Sequence, residues 1–186
     1  MSTILAISGS PSATSRTAAV LDLVSATLLD AGHQVRLLSV RDLPPEALLG
    51  ADPTHPAIRT AATEVAAADA VVVATPVYKA AYSGVLKSLL DLLPQFAFAG
   101  KVVLPLATGG TTAHVLALDY ALRPVLSSMG AEHVVAGYFL PEQALGPVVA
   151  GGLRVEPAAR AGLDDVVDGF LAALERRQPL PILLAS

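Results

Sequence analysis

The sequence alternates apolar runs of strand length with segments of helical spacing, and this alternation limits the possible fold more than any other feature. The predicted strands are Thr3–Ser8, Gln34–Val40, Ala70–Thr75, Lys101–Thr108 and His133–Phe139. The predicted helices are Thr17–Ala31, Ala57–Ala67, Ser83–Leu93, Thr112–Met129 and Ala158–Arg177. Nearly continuous apolar strands separated by helices indicate a parallel sheet covered by helices on both faces.

We expect this pattern to form one α/β domain over residues 1–186, with a doubly wound, five-stranded parallel sheet. The expected strand order is 2-1-3-4-5, as in flavodoxin-like folds. Gly32 and Gly130 are predicted to cap helices, and Pro94 is predicted to end one. The proline-rich segment 41–56 is predicted to be mostly loop. In such a sheet, ligands bind beyond the carboxyl ends of the strands.

Composition excludes several classes of protein and site. The formal net charge is −4 and no block of Lys or Arg is present, which argues against nucleic acid as the main partner. The absence of cysteine excludes disulfides, thiolate nucleophiles and cysteine-ligated metals. The histidines lack metal-ligand spacing, so no metal site is predicted. The first residues do not resemble a signal peptide and no apolar run has transmembrane length, so we expect a cytoplasmic protein.

The loop after the first strand, Ser8–Thr17, is rich in hydroxyl side chains and opens a helix. Helix N-terminal N–H groups, hydroxyl donors and the cation of Arg16 together form an anion site. The loop lacks both the Walker A pattern and the dinucleotide fingerprint. It therefore favours a terminal phosphomonoester such as that of FMN, with ordinary helix capping as the alternative.

Two further loops leave the same edge of the predicted sheet. The stretch "TPVYKAAYSG" offers Pro76, Val77 and Tyr78 as a flat apolar seat for a flavin ring, with a backbone N–H from Lys79. The alternative is that Tyr78 and Tyr82 pack as a helical pair. The stretch "ATGGTTAH" carries paired glycines that let backbone approach a ligand closely, unless it is only a strand-to-helix turn.

Three stretches carry a family resemblance: "SGSPS…SR", "ATPVYKAAYSGVLKSLLDLLP" and "GKVVLPLATGGTTAHVLALDYALRPVL". They closely resemble the NAD(P)H-dependent FMN reductases that supply reduced flavin to alkanesulfonate monooxygenases. The resemblance covers about Ile4 to Met129. It implies a flavodoxin-like fold, hydride transfer from NADPH or NADH to FMN, a homodimer or homotetramer, and an FMNH2-dependent monooxygenase as partner. The FMN-binding residues that it implies are Ser8, Ser10, Ser15, Arg16, Thr17, Pro76, Val77, Tyr78, Lys79, Thr108, Gly109 and Gly110.

Pro124 lies inside an otherwise regular helical pattern. It cannot donate a backbone hydrogen bond, and its ring collides with the carbonyl of Tyr120, so the helix must kink or widen into a π-bulge. The resembled reductases carry a tyrosine in a π-bulge at the subunit interface, which implies that role for Tyr120. The alternative is a core tyrosine beside a proline kink.

Hydride transfer requires placement of two rings rather than a nucleophile or a metal, so no catalytic side chain is assigned. Two other functions stay open: a reductase with prosthetic FMN acting on quinones, azo dyes or metal ions, and a flavodoxin-like electron carrier. The resemblance weakens after Glu132, and residues 140–160 receive no assignment. The apolar tail "PLPILLAS" is expected to contact a neighbouring subunit.

Overall fold

A computed structural model of the chain describes residues 1–149 and 152–176. The strands are β1 Thr3–Ser8, β2 Gln34–Ser39, β3 Ala70–Tyr78, β4 Ala81–Tyr82, β5 Val102–Gly109, β6 His133–Val134, β7 Tyr138–Pro141, β8 Leu145–Val149 and β9 Gly152–Val155. The α-helices are α1 Arg16–Asp30, α2 Pro45–Leu49, α3 Pro56–Ala67, α4 Gly84–Leu90, α5 Arg123–Ser128 and α6 Pro157–Arg176. The predicted apolar tail lies outside the described residues.

The central sheet is parallel in the order β2-β1-β3-β5-β6, with β7 continuing beside β5. This order confirms the predicted flavodoxin-like arrangement, because β5 is the fourth main strand and β6 with β7 make the fifth. Two apolar clusters cover the two sheet faces. Successive strand residues point to opposite faces, so Val71 and Val73 pack with α3 and α4 while Val72 packs with α1 and α6.

Predicted helix ends at two glycines are confirmed by their geometry. Gly32 has φ +83°, its N–H donates to Leu29 O, and the N–H of His33 donates to Leu28 O. This is a Schellman ending, in which a left-handed glycine satisfies the last helix carbonyls. Gly130 has φ +85° and ends α5 in the same way.

The fifth main strand was expected to be continuous over His133–Phe139, and this expectation is wrong. The strand splits into β6 and β7 because its neighbour β5 contains Pro105, which has no N–H to donate to the ladder. The backbone of Gly137 lies so close to β5 that a Cβ on this residue would be 2.7 Å from Pro105 O. The Arg123 guanidinium donates to Val134 O at 2.8 Å and to Val135 O at 3.2 Å, which satisfies carbonyls at the break.

The predicted helix Thr112–Met129 is also divided. It comprises a 3-10 turn at Thr112–Val115, a π-helical segment at Leu118–Leu122, and α5. The N–H of Arg123 donates to Leu118 O, five residues earlier. Pro124 has no N–H for the carbonyl of Tyr120, so the widening expected from this proline is present.

The predicted loop 41–56 is more ordered than expected, since it contains α2 after a 3-10 turn at Val40–Asp42. Pro45 occupies the first turn of α2, where a missing N–H costs nothing. Residues 140–160, which received no assignment, contain a 3-10 turn at Glu142–Ala144 and the antiparallel pair β8–β9. Within residues 1–149 and 152–176, no helix combines the length and apolar character that a membrane span requires.

Candidate functional site

The carboxyl edge of the sheet brings the three predicted loops around one cavity of about 310 Å³. The first loop contributes Ser10, Thr14, Ser15, Arg16 and Thr17. The end of β3 contributes Pro76 and Tyr78 and the end of β5 contributes Thr108, whereas Gly109 and Gly110 are not among the described lining residues. The chain after β7 contributes Glu142, Pro147 and Val148, which the sequence did not identify. Residues far apart in sequence therefore line a single cavity, as expected for a topological switch point.

The first loop is held in place by its own hydroxyls. The Ser15 hydroxyl oxygen accepts a hydrogen bond from Ala18 N–H at 3.0 Å and caps α1. The buried Ser10 hydroxyl oxygen accepts one from Ser12 N–H at 3.2 Å. No acidic residue lies in the first turn of α1, so the positive end of the helix dipole is not neutralised within that turn. This end of the cavity suits an anion.

Thr17 and Thr108 tie the first loop to the third. Their hydroxyl oxygens lie 2.6 Å apart, and the two residues are only 2% and 4% exposed. One hydroxyl donates to the other, and each also lines the cavity. The contact joins α1 to β5 across the sheet edge, so the first loop cannot shift independently of the third.

Arg16 forms an ion pair with Glu142, with Nη1 and Oε2 3.2 Å apart. The side chains are 41% and 52% exposed. Glu142 arrives here because β7 runs beside β5 with Pro141 opposite Gly109, which places the next residue at the carboxyl edge. No signal within the sequence indicates this pairing, because the two residues are separated by 126 positions.

The second loop is a hairpin rather than the start of a helix. β3 continues beyond its predicted end at Thr75 to Tyr78 and pairs with β4. Lys79 and Ala80 form the two-residue turn with φ of +50° and +61°, as a type I′ turn requires. Left-handed geometry is costly for residues other than glycine, so strain is concentrated beside the cavity. Tyr78 and Tyr82 lie on opposite strands, so the interpretation as a helical pair is wrong.

The ring seat that the sequence suggested is only partly formed. Pro76 and Tyr78 line the cavity, and Tyr78 is 53% exposed. Val77 packs its side chain into the core, because strand alternation turns it to the other face. Its side chain therefore does not line the cavity, and the predicted contact of Val77 with a ring stays a prediction. Tyr82 packs partly against that core, and burial raises the pKa of its phenol.

Ser83 joins the second loop to the first. Its hydroxyl donates to Gly9 O and accepts from Leu86 N–H at 3.1 Å, and its N–H donates to the Thr75 hydroxyl at 2.9 Å. A Cβ on Gly9 would lie 2.7 Å from Leu86 Cβ, so only glycine fits. The sequence indicated Ser83 as a helix start, and the structure confirms that N-cap. Its hydrogen bond to Gly9 O depends on β1 and β3 being adjacent in the sheet, and it was not predicted from the sequence.

In the third loop, Gly109 and Gly110 differ. A Cβ on Gly109 would lie 3.0 Å from both His114 Nδ1 and Phe139 Cε2, whereas Gly110 has open space around it. The buried His114 Nδ1 has no hydrogen-bond partner in the described part of the chain. Gly109 therefore serves close packing, whereas no close packing restricts Gly110.

The remaining predicted residues surround the cavity rather than line it. Ser8 is buried in β1, between Ser39 and Ala74 of the neighbouring strands. Lys79 is exposed at the hairpin tip. Across residues 1–149 and 152–176, no group of three or more His, Asp or Glu side chains is arranged to hold a metal ion.

Comparison with known proteins gives consistent results. Residues 2–146 match the family model described as NADPH-dependent FMN reductase. An FMN reductase (NADPH) of Escherichia coli strain K12 is 43% identical over 185 residues, covering 98% of this chain and 95% of that protein. The crystal structure of an apo NADH:FMN oxidoreductase superimposes with a TM-score of 0.86 and 44% identity, covering 100% of both chains. A flavodoxin from Streptococcus pneumoniae, with 18% identity, 92% of this chain covered, 98% of that chain covered and a TM-score of 0.63, shares the fold.

Proposed function

The chain belongs to the NADPH-dependent FMN reductase family, and we propose that it reduces FMN with NADPH or NADH in the cavity at the carboxyl edge of its sheet. Family membership confirms the predicted oxidoreductase class and the pairing of FMN with a pyridine nucleotide. The observation that carries the proposal is the meeting of Arg16, Thr17, Tyr78 and Thr108 around one cavity. An anion-binding end and an aromatic end lie together there.

The residues present fit FMN. At one end, the hydroxyls of Ser10, Ser15 and Thr17, the α1 N-terminus and Arg16 match a terminal phosphate. At the other end, Pro76 and Tyr78 offer apolar surface to a flat ring. A cavity of about 310 Å³ lies within the range of small-ligand sites.

When bound, FMN supplies a ring that accepts a hydride equivalent from the pyridine nucleotide. The role of this chain is placement. Arg16 and the loop hydroxyls hold the phosphate end, and Tyr78 with Pro76 orients the ring plane. The exposed side of Tyr78 leaves access for a second ring to stack. Because placement alone brings the reacting rings together, no acid or base side chain is required.

The decisive experiment measures NADPH and NADH oxidation by purified protein with and without added FMN, together with the flavin content as isolated. We expect nearly colourless protein whose turnover rises saturably with FMN. Yellow protein whose turnover ignores added FMN would point to prosthetic flavin and a quinone-like acceptor. Absence of oxidation under both conditions would contradict the proposal and favour an electron carrier.

We further propose that reduced FMN leaves this protein for an FMNH2-dependent monooxygenase of the alkanesulfonate type, in the cytoplasm, and that the π-helical segment is a subunit interface in a homodimer or homotetramer. Support comes from the sequence resemblance and from the surface around the π-helical segment. Tyr120 is 79% exposed and Leu116 is 57% exposed, an unusual exposure for large apolar side chains. The segment also lies against β4, whose hairpin carries Tyr78.

A Tyr120→Ala variant tests the interface. If an interface at Tyr120 makes the flavin exchangeable, the variant should elute as a smaller species and keep flavin through gel filtration that strips the wild type. Leu49→Ala removes another strongly exposed apolar side chain, on α2, and serves as the control. Unchanged elution and flavin retention in Tyr120→Ala would contradict the assignment.

A further inference from the structure

We propose that Glu142 is a specificity-determining residue that weakens binding of phosphate-bearing flavins by competing with the phosphate for Arg16. This inference rests on the proposed function, because it assumes that the Arg16 end of the cavity receives the phosphate of FMN. It assigns a role to a residue that lies outside the three loops identified from the sequence.

The geometry places an internal anion at the phosphate end. Arg16 Nη1 lies 3.2 Å from Glu142 Oε2, and both side chains line the same cavity as the loop hydroxyls. Among the described residues that line it, Arg16 supplies the one cation and Glu142 the one anion. The guanidinium of Arg16 is therefore already paired with an anion of the same chain.

The backbone of Glu142 is well anchored on both sides. Pro141 pairs with Gly109 at the end of β7, and the following 3-10 turn ends in the buried residues Ala144 and Leu145. The carbonyl of Ala144 accepts a hydrogen bond from Glu156 N–H at 2.9 Å. The backbone of Glu142 therefore stays beside the cavity, and only rotation of its half-exposed side chain can separate the carboxylate from Arg16.

An entering phosphate must either displace Glu142 from Arg16 or bind beside a fixed negative charge. Either event reduces the affinity, because the ion pair is lost or the two anions repel each other. Exposed charge pairs have small effects, so the expected penalty is about twofold to fivefold in Kd. Riboflavin has the same ring and no phosphate, so its binding should not depend on Glu142.

The test is a titration of wild type, Glu142→Gln and Glu132→Gln with FMN and with riboflavin, followed by flavin fluorescence. Glu132→Gln removes the same charge at the amino end of β6, on the opposite sheet edge. We expect Glu142→Gln to bind FMN about twofold to fivefold more tightly, with riboflavin affinity unchanged. Glu132→Gln should match the wild type for both ligands.

A double variant shows whether the effect passes through Arg16. In an Arg16→Gln background, the gain from Glu142→Gln should shrink, since no cation remains to be released. Equal FMN affinity of wild type and Glu142→Gln would overturn the role of Glu142 while leaving the proposed function intact. Equal tightening of riboflavin and FMN would overturn it as well. If none of the proteins binds FMN, the proposed function itself fails.

Discussion

The two ends of the cavity are built very differently. At the end proposed to hold the phosphate, Thr17 and Thr108 are almost fully buried and hydrogen-bonded to each other, and Ser15 caps a long helix. At the ring end, Tyr78 is half exposed and the adjacent turn holds Lys79 and Ala80 in left-handed geometry. At the first end the hydroxyls are hydrogen-bonded within the chain, whereas at the second end the tyrosine is exposed to solvent and the adjacent backbone is strained. This difference suits a ligand that is anchored by its phosphate and approached at its ring.

The largest expected effect comes from breaking the link between the two ends. Ser83→Ala removes the hydroxyl that donates to Gly9 O and accepts from Leu86 N–H. Two buried backbone groups lose their partner, so we expect a loss of about 2–3 kcal/mol in the free energy of unfolding. Urea denaturation measures it. Ser88→Ala on the same helix removes a bond to Val85 O and should cost much less.

The next effect tests whether the buried hydroxyl pair is structural or serves the ligand. Thr108→Val leaves the Thr17 hydroxyl buried without its partner and should cost about 1–3 kcal/mol. The Thr17→Val/Thr108→Val double variant should recover much of that stability, because no lone hydroxyl remains. The double variant should still bind FMN more weakly than the wild type does. Strong FMN binding there would show that the two hydroxyls do not contact the ligand.

A pair of substitutions separates the two ends by ligand. Arg16→Gln should weaken FMN about tenfold and leave riboflavin unchanged, since only FMN carries the phosphate. Tyr78→Ala should weaken both flavins by a similar factor, because both share the ring. Fluorescence titration with each flavin measures the two ratios. If Arg16→Gln weakens the binding of riboflavin as much as the binding of FMN, then Arg16 does not act through the phosphate and the proposed difference between the two ends is wrong.

The smallest effect concerns the strained turn. Ala80→Gly relieves left-handed geometry at φ +61° and should raise the free energy of unfolding by about 1 kcal/mol. Ala81→Gly, one residue later and not left-handed, should lower it slightly. Chemical denaturation of both variants beside the wild type gives the result. A loss of stability in Ala80→Gly would mean that the turn is not strained.

Much of the architecture could be predicted from the sequence, because its determinants are local. Buried parallel strands such as Ala70–Thr75 are apolar nearly throughout, and left-handed glycines such as Gly32 and Gly130 mark helix ends. The sequence also predicted an irregularity before Pro124, either a kink or a widening, since a missing N–H acts within one turn of helix, and the structure has the widened form. The hydroxyl-rich first loop was identifiable because it follows a strand and opens a helix.

The features that the sequence did not reveal depend on which segments become neighbours. The break after β6 arises from Pro105 on an adjacent strand, and the bond from Ser83 to Gly9 crosses between two loops. The hairpin at Lys79 and Ala80 was missed, because neither is a residue typical of that turn.

The sequence by itself determined which segments form the buried strands and the covering helices, and which loops are candidates for the ligand site, because apolar periodicity and loop composition act over short distances. Only the tertiary structure decided that Glu142 faces Arg16, that Thr17 meets Thr108, and that Val77 turns inward. Those contacts depend on how strands and helices come together. A shift of one residue in the register of β3, for example, would turn Val77 to the other face of the sheet.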